Sequence, residues 1–356
     1  MRNYAPFPSA AGIVDVHTHA IDLDLPALAG YPDQSPQLVI ERIDDVSARI
    51  LLDGKLYRTI DDRCWSPARR IADMNRAGVA AQVLSPIPVT FRYDAPAAAA
   101  ADLARAQNDF FARIVQQHPD RFAALAAVPL QDPDRAIAEL RRVMTIPGFV
   151  GVEVGAQIAG TELCDPDLDG FFAVASELDA LVLVHPVDHD VCTRIVGLGL
   201  GFGLGMPVET AVAAAGLLTS GAMHRRPAVR CCLAHGGGAL PALIGRLDKA
   251  AVLGGASPES HHLPSRLVRG VLCDSLTYDH SALMHAVAVF GPENVVFGSD
   301  YPFPAMPDHP AAVLAGLPGD LRQAISRDNF CTGTKVFDAE LISLTSPKDL
   351  PSWRSF

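Results

Sequence analysis

Short, almost uninterrupted apolar runs alternate along the chain with longer stretches in which apolar residues recur at helical spacing. The runs are IVDVHTH (13–19), AAQVLSPIP (80–88), FAALAAVP (122–129), GFVGVEVG (148–155), LVLVHPV (181–187), AVRCCLAHGG (228–237), VRGVLCDSL (268–276) and NVVFGSDYP (294–302). Most end in Gly, Pro, His or Asp. Runs apolar at successive positions predict strands buried on both faces, as in a parallel sheet covered by helices. Helices are predicted near 66–78, 96–118, 133–145, 168–179, 207–222, 240–251, 280–290 and 310–325. The first has Ser66 as N-cap and Pro67 at the first helical position. Eight strand–helix units predict an α/β fold, the (β/α)8 TIM barrel, for which about 250 residues are typical. The surplus is expected mainly at about 20–65, a polar, turn-rich stretch carrying QLVIERI and ARILLDGKLYRTI. It reads as a small β-rich insertion after strand 1 of a single domain spanning 1–356. A doubly wound open sheet is the competing architecture, but no glycine-rich phosphate turn follows the first strand.

Composition narrows the function. With 49% hydrophobic and 19% charged residues over 356 positions, the chain can bury a large core and does not describe a disordered coil. Lys and Arg total 29 against 40 Asp and Glu, a formal charge of -11 that argues against nucleic acid as partner. A small anionic substrate is still open to it, since one or two fixed arginines suffice. The start MRNYAPFPSAAG lacks a basic segment followed by an apolar one, so no secretory signal is expected. No uninterrupted apolar run of about 18 residues suggests a membrane span. Seven scattered cysteines without a CxxC pair fit reduced thiols in a cytoplasmic protein.

The unusual polar residues fall at strand ends. His17 and His19 sit at i and i+2, so strand alternation turns both to one face. His185 ends the fifth run, His235 the sixth and Asp300 the eighth. Together they bring four imidazoles and one carboxylate to the C-terminal rim, where such barrels hold their active sites. His17, His19, His185 and Asp300 form a candidate metal set suited to Zn²⁺ with a position left for water. The same nitrogen-rich set could hold Fe²⁺, Co²⁺ or Mn²⁺. His235 is then a free base, able to take a proton from water at the metal. Gly236 to Gly238 would let the backbone approach a substrate, or simply form a turn into the next helix. Glu153, in the fourth run, reads as a partnered interior carboxylate.

DVHTH, LVHP, LAHGGGALP and FGSDYPFP together resemble the decarboxylase branch of the amidohydrolase superfamily. The stretches YRTIDDRCWSPARRIADMNRAGVAAQVLSPIPVTFRY, MPVETAVAAAGLLTSGAM and HGGGALPALIGRLD continue the likeness in order, over roughly residues 12–340. The resemblance implies a metal-dependent, non-oxidative decarboxylase acting on a carboxylated, unsaturated ring-cleavage product. It implies His17, His19, His185 and Asp300 as zinc ligands and His235 as catalytic, with Asp300 also moving a proton. Arg58 corresponds to a carboxylate-binding arginine. Arg246 corresponds to one that reaches the neighbouring subunit's site, so a homodimer is expected. Decarboxylation of an aromatic acid, hydrolysis of a lactone or amide, and a catalytically silent barrel are the alternative readings.

Three places depart from the family pattern. Val187 stands where the family has tryptophan, followed by Asp188, His189 and Asp190. GLGLGFGLG (197–205) replaces bulky aromatics, predicting a larger pocket wall or a mobile flap. Thr90 and Arg92 replace a methionine and a small residue.

Overall fold

All eight apolar runs form strands in this computed structural model, which describes residues 7, 12–26, 37–187, 191–226, 228–307 and 309–331. After β1 (Ile13–Ala20) come β2 (Leu38–Arg42), β3 (Ser47–Leu52) and β4 (Lys55–Asp61), an antiparallel sheet that is the expected β-rich insertion. Then α1 (Pro67–Ala77) leads to β5 (Val79–Pro86), α2 (Ala97–Gln117) to β6 (Phe122–Ala126), and α3 (Pro133–Val143) to β7 (Phe149–Gly155). A small hairpin, β8 (Gln157–Ile158) and β9 (Thr161–Glu162), precedes α4 (Asp169–Glu177) and β10 (Leu181–His185). Next are α5 (Thr193–Gly197), α6 (Met206–Thr219), α7 (Ala222–Arg225) and β11 (Arg230–Leu233). They are followed by α8 (Leu240–Leu253), α9 (Pro264–Leu267), β12 (Leu272–Asp274), α10 (His280–Phe290), β13 (Val295–Val296), α11 (Gly319–Gln323) and α12 (Asn329–Cys331).

The eight-stranded sheet runs β1-β5-β6-β7-β10-β11-β12-β13, every neighbouring pair parallel. The segment around β13 returns to β1: Val16 N donates to Phe297 O at 2.9 Å and His19 N to Tyr301 O at 2.7 Å, with a parallel bridge between Thr18 and Tyr301. These bonds close the (β/α)8 barrel, so the ends of β1 and β13 share one rim.

Alternation divides the core. On β10, Leu181 and Leu183 belong to a cluster with Val14, Val16, Val83 and Val296, while Val182 and Val184 join helix residues such as Phe111, Phe171 and Phe290. The former fills the barrel and the latter seats the helices on it. A third cluster joins Ile50 and Ile60 of the insertion to Leu103 of α2 and Phe303 beyond β13. It fixes the insertion against the C-terminal rim.

Local chemistry explains most boundaries. Ser66 accepts from Arg69 N to cap α1, and Gly78 ends that helix in the left-handed conformation at φ 71°. The single helix expected at 310–325 is instead a 3-10 segment, Pro310–Leu314, followed by α11 and a wide turn. Gly316, Pro318 and Gly319 interrupt that periodicity. The glycine-rich stretch forms a wide helical turn, Gly201–Gly205, running directly into α6. By length and composition alone Gly201–Thr219 could cross a membrane, yet Ala211, Ala214 and Leu218 are buried in the helix-seating cluster. All seven cysteines are free thiols.

Candidate metal centre

The ends of two strands, β1 and β10, and the loop after β13 bring His17, His19, His185 and Asp300 together, with one donor atom from each lying within 4.8 Å of every other. His17 Nε2 is 3.2 Å from His19 Nε2, and His19 Nε2 is 3.0 Å from Asp300 Oδ1. These spacings approach the roughly 3.3 Å edge of a tetrahedron with ligand bonds of about 2.0–2.1 Å. The opposite ring nitrogens are already engaged. His17 Nδ1 donates to Asp274 Oδ2 at 2.7 Å, His19 Nδ1 to Pro86 O at 2.8 Å and His185 Nδ1 to Pro186 O at 2.7 Å. With Nδ1 engaged, each ring is held so that Nε2 is the nitrogen facing the other donors, the orientation that a metal ligand requires. His185 Nε2 is buried without a hydrogen-bond partner among the described residues.

The electrostatics also favour a cation. Burial, reinforced by the neighbouring imidazoles, holds His185 well below its ordinary pKa, and burial lowers His19 as well. Burial works against protonation of His17 too, but the Asp274 bond and nearby carboxylates outweigh it and raise that group to about 9. For Asp300, the His19 bond and surrounding imidazoles overcome burial and keep the carboxyl below its usual range. Three crowded imidazoles facing an ionised carboxylate resist shared protonation, whereas a divalent metal satisfies all four donors.

His235 stands beside this set, its ring centroid 4.9 Å from that of His185 and 5.3 Å from that of His17. Its Nδ1 is buried without a partner among the described residues. Burial first, and His17 second, depress its pKa to about 4, so the imidazole is a neutral base. The backbone has φ 58° at His235 and stays positive through Gly236, Gly237 and Gly238. An added Cβ would lie 2.5 Å from Thr277 at Gly236 and 2.2 Å from Pro207 O at Gly238. The glycines are thus required by the turn that carries His235.

The expected arginines differ in position. Arg58, on β4, lies with its guanidinium carbon 4.3 Å above the Phe303 ring, and Phe303 packs 5.4 Å from the His19 ring. The insertion therefore delivers a cation one aromatic ring away from the metal donors. Arg246 is exposed on α8. Glu153 is fully buried, with Oε1 4.0 Å from His19 Nδ1, and burial pushes its carboxyl up to about 8. Val187, Thr90 and Arg92 are buried, and Arg92 Nε pairs with Asp94 at 2.9 Å. Asp188, His189 and Asp190 lie outside the described residues.

Three contributors were not singled out from sequence. Asp274 holds His17, and Phe303 links Arg58 to His19. A cavity of about 390 Å³ is lined by His235, Phe202, Leu276, Tyr278 and His285, the last a helix histidine not assigned to the site. A strand-end acid in VRGVLCDSL was the available signal for Asp274; nothing local marked His285. Asp15, two residues before His17 on β1, is raised to about 7 by burial while accepting from Ser299 Oγ at 2.5 Å, which anchors the segment carrying Asp300.

The amidohydrolase family profile matches residues 14–329. A 2-amino-3-carboxymuconate-6-semialdehyde decarboxylase of Dictyostelium discoideum is 34% identical over 299 residues, covering 82% of each chain. A gamma-resorcylate decarboxylase of Rhodococcus jostii is 33% identical over 226 residues, 57% of this chain and 67% of that one. Among solved structures, a dihydroxybenzoic acid decarboxylase of Polaromonas with bound manganese and 2-nitroresorcinol superposes with a TM-score of 0.70 at 23% identity, covering 95% of this chain and 99% of that one. This last likeness concerns the fold.

Proposed function

The chain belongs to the amidohydrolase family and is a carboxy-lyase of its decarboxylase branch, and we propose that it removes CO2 from a carboxymuconate semialdehyde-type ring-cleavage product. 2-Amino-3-carboxymuconate 6-semialdehyde, or a close analogue such as 5-carboxy-2-hydroxymuconate semialdehyde, is the substrate assigned. The observation that carries this reading is Arg58 stacked on Phe303, which itself packs on His19: a fixed cation for a carboxylate, one ring from the metal donors.

His17, His19, His185 and Asp300 would hold a divalent ion, Zn²⁺ in our reading, with Mn²⁺ the principal rival. When bound, the ion supplies a Lewis acid that polarises substrate oxygen and neighbouring water. Arg58 binds and orients a carboxylate. Neutral His235 faces the cavity and moves a proton there. The bond from carbon to the departing carboxylate breaks, its electron pair stays on that carbon, and a proton takes the vacated position. Asp300, ionised among the imidazoles, is the second group suited to proton movement.

The partner assigned is a second copy of the chain. Leu198 (66% exposed), Phe202 (58%) and Leu243 (42%) offer apolar surface, and Arg246 lies one helical turn from Leu243. An isologous dimer would cover this face and carry Arg246 to the partner's site. Seven unpaired thiols suit the cytoplasm.

Anaerobic incubation of the metal-loaded protein with the carboxymuconate semialdehyde tests the activity. Release of CO2 with loss of the conjugated absorbance is expected. An unchanged chromophore overturns the substrate assignment, and products retaining every carbon indicate hydrolysis. Turnover of gamma-resorcylate instead would favour the aromatic-acid reading suggested by the Rhodococcus relative.

A further inference from the structure

We propose that Asp274 is a positioning residue whose single carboxylate sets both the metal-facing tautomer of His17 and the backbone turn that carries His235. Asp274 closes β12 and is fully buried. Its Oδ2 accepts from His17 Nδ1 at 2.7 Å and from the His235 backbone N–H at 2.9 Å. Its Oδ1 accepts from Gly236 N at 2.8 Å and Leu276 N at 2.9 Å.

Each bond has a separate consequence. A carboxylate only accepts, so His17 must carry its proton on Nδ1 and aim the Nε2 lone pair at His19 and Asp300. The N–H groups of His235 and Gly236, both in left-handed conformation at φ 58° and 64°, converge on the Asp274 carboxylate. That conformation is unfavourable for a histidine, and two charge-assisted bonds offset the cost. An asparagine of the same size cannot substitute. It has one acceptor oxygen, and its NH2 group would face N–H donors. Either His17 turns over or the turn at 235–238 loses a bond.

The inference rests on the metal-site reading, so its test does not depend on turnover. Zinc affinity of the full chain is measured by competition with a chromophoric chelator for the parent and for Asp274→Asn. Nitrogen-15 NMR of histidine-labelled, zinc-loaded parent reads the His17 tautomer, and hydrogen exchange reads the amides of 235–238. We expect a protonated Nδ1 at His17 and a zinc affinity about 10- to 100-fold weaker in Asp274→Asn. Exchange across 235–238 should be at least tenfold faster, at a melting temperature that leaves the fold intact. Zinc affinity within twofold of the parent overturns the proposal. So does a zinc-loaded parent in which His17 Nδ1 carries no proton, a result independent of whether the variant folds. A parent that binds no divalent ion fails the metal-site reading itself.

Discussion

Substituting Gly238 by alanine should disable the turn at His235 while sparing the metal donors. Gly238 has φ 60° and ψ -132°, a region essentially reserved for glycine. A Cβ there would lie 2.2 Å from Pro207 O and 3.0 Å from both Pro207 C and Thr210 Cβ. The carbonyl cannot simply yield, because it accepts from Ala239 N at 3.0 Å. Relief requires about 1 Å of backbone movement to restore ordinary contact. Backbone strain of about 1–3 kcal/mol and overpacking of similar size predict a loss of about 2–6 kcal/mol. For a chain of this size, that is a melting-temperature fall of roughly 3–8 °C. A 1 Å displacement of a reacting group can cost about 10²-fold, and His235 is three residues away. Thermal unfolding, bound metal per chain and kcat should be measured together. Gly170→Ala serves as control, since its Cβ would meet only Ile137 Cδ1 at 4.0 Å. We expect lower kcat and melting temperature with metal content preserved. A Gly238→Ala enzyme with kcat within threefold of the parent would refute the claim that this turn sets the base.

Arg58→Met should raise KM by about 10- to 100-fold with kcat little changed, the loss expected for a charge-assisted carboxylate contact; initial rates check this, and an unchanged KM removes Arg58 from substrate binding. His235→Ala should retain bound metal while lowering kcat by at least about 10²-fold. Metal analysis showing the ion lost would instead make His235 a ligand. Arg246→Ala and His235→Ala, each inactive alone, should recover activity when their subunits are mixed, because a hybrid dimer holds one site with both native residues; no recovery would confine Arg246 to its own chain.

Strand alternation and strand-end chemistry make the candidate donor set legible in the sequence. The spacing of His17 and His19 requires a common face, and the chain order of the eight runs sends His185, His235 and Asp300 to the same rim. What escaped depended on contacts between distant segments. Phe303 meets Arg58 only because the insertion folds back over the rim, and that return is set by the packing of Ile50, Ile60 and Leu103. Asp274 looked like an ordinary strand-end acid, since its partners lie on β1 and after β11. The helix expected at 310–325 is broken because its apolar period is too weak to carry a helix through Gly316, Pro318 and Gly319. The prolines at the ends of runs carried more meaning than a strand stop. A proline has no N–H with which to continue a ladder, so the strand ends there and the rim geometry can leave a carbonyl free for a side chain. Pro86 and Pro186 use their carbonyls in this way, holding His19 and His185 in the tautomer that presents Nε2. The dipeptides Ser85-Pro86 and His185-Pro186 thus help orient the site as well as end the strands. For His17 no carbonyl takes that role, and the orienting acceptor is Asp274. Of the three candidate ligand histidines, it alone is tied, through a charged group, to the turn that carries His235.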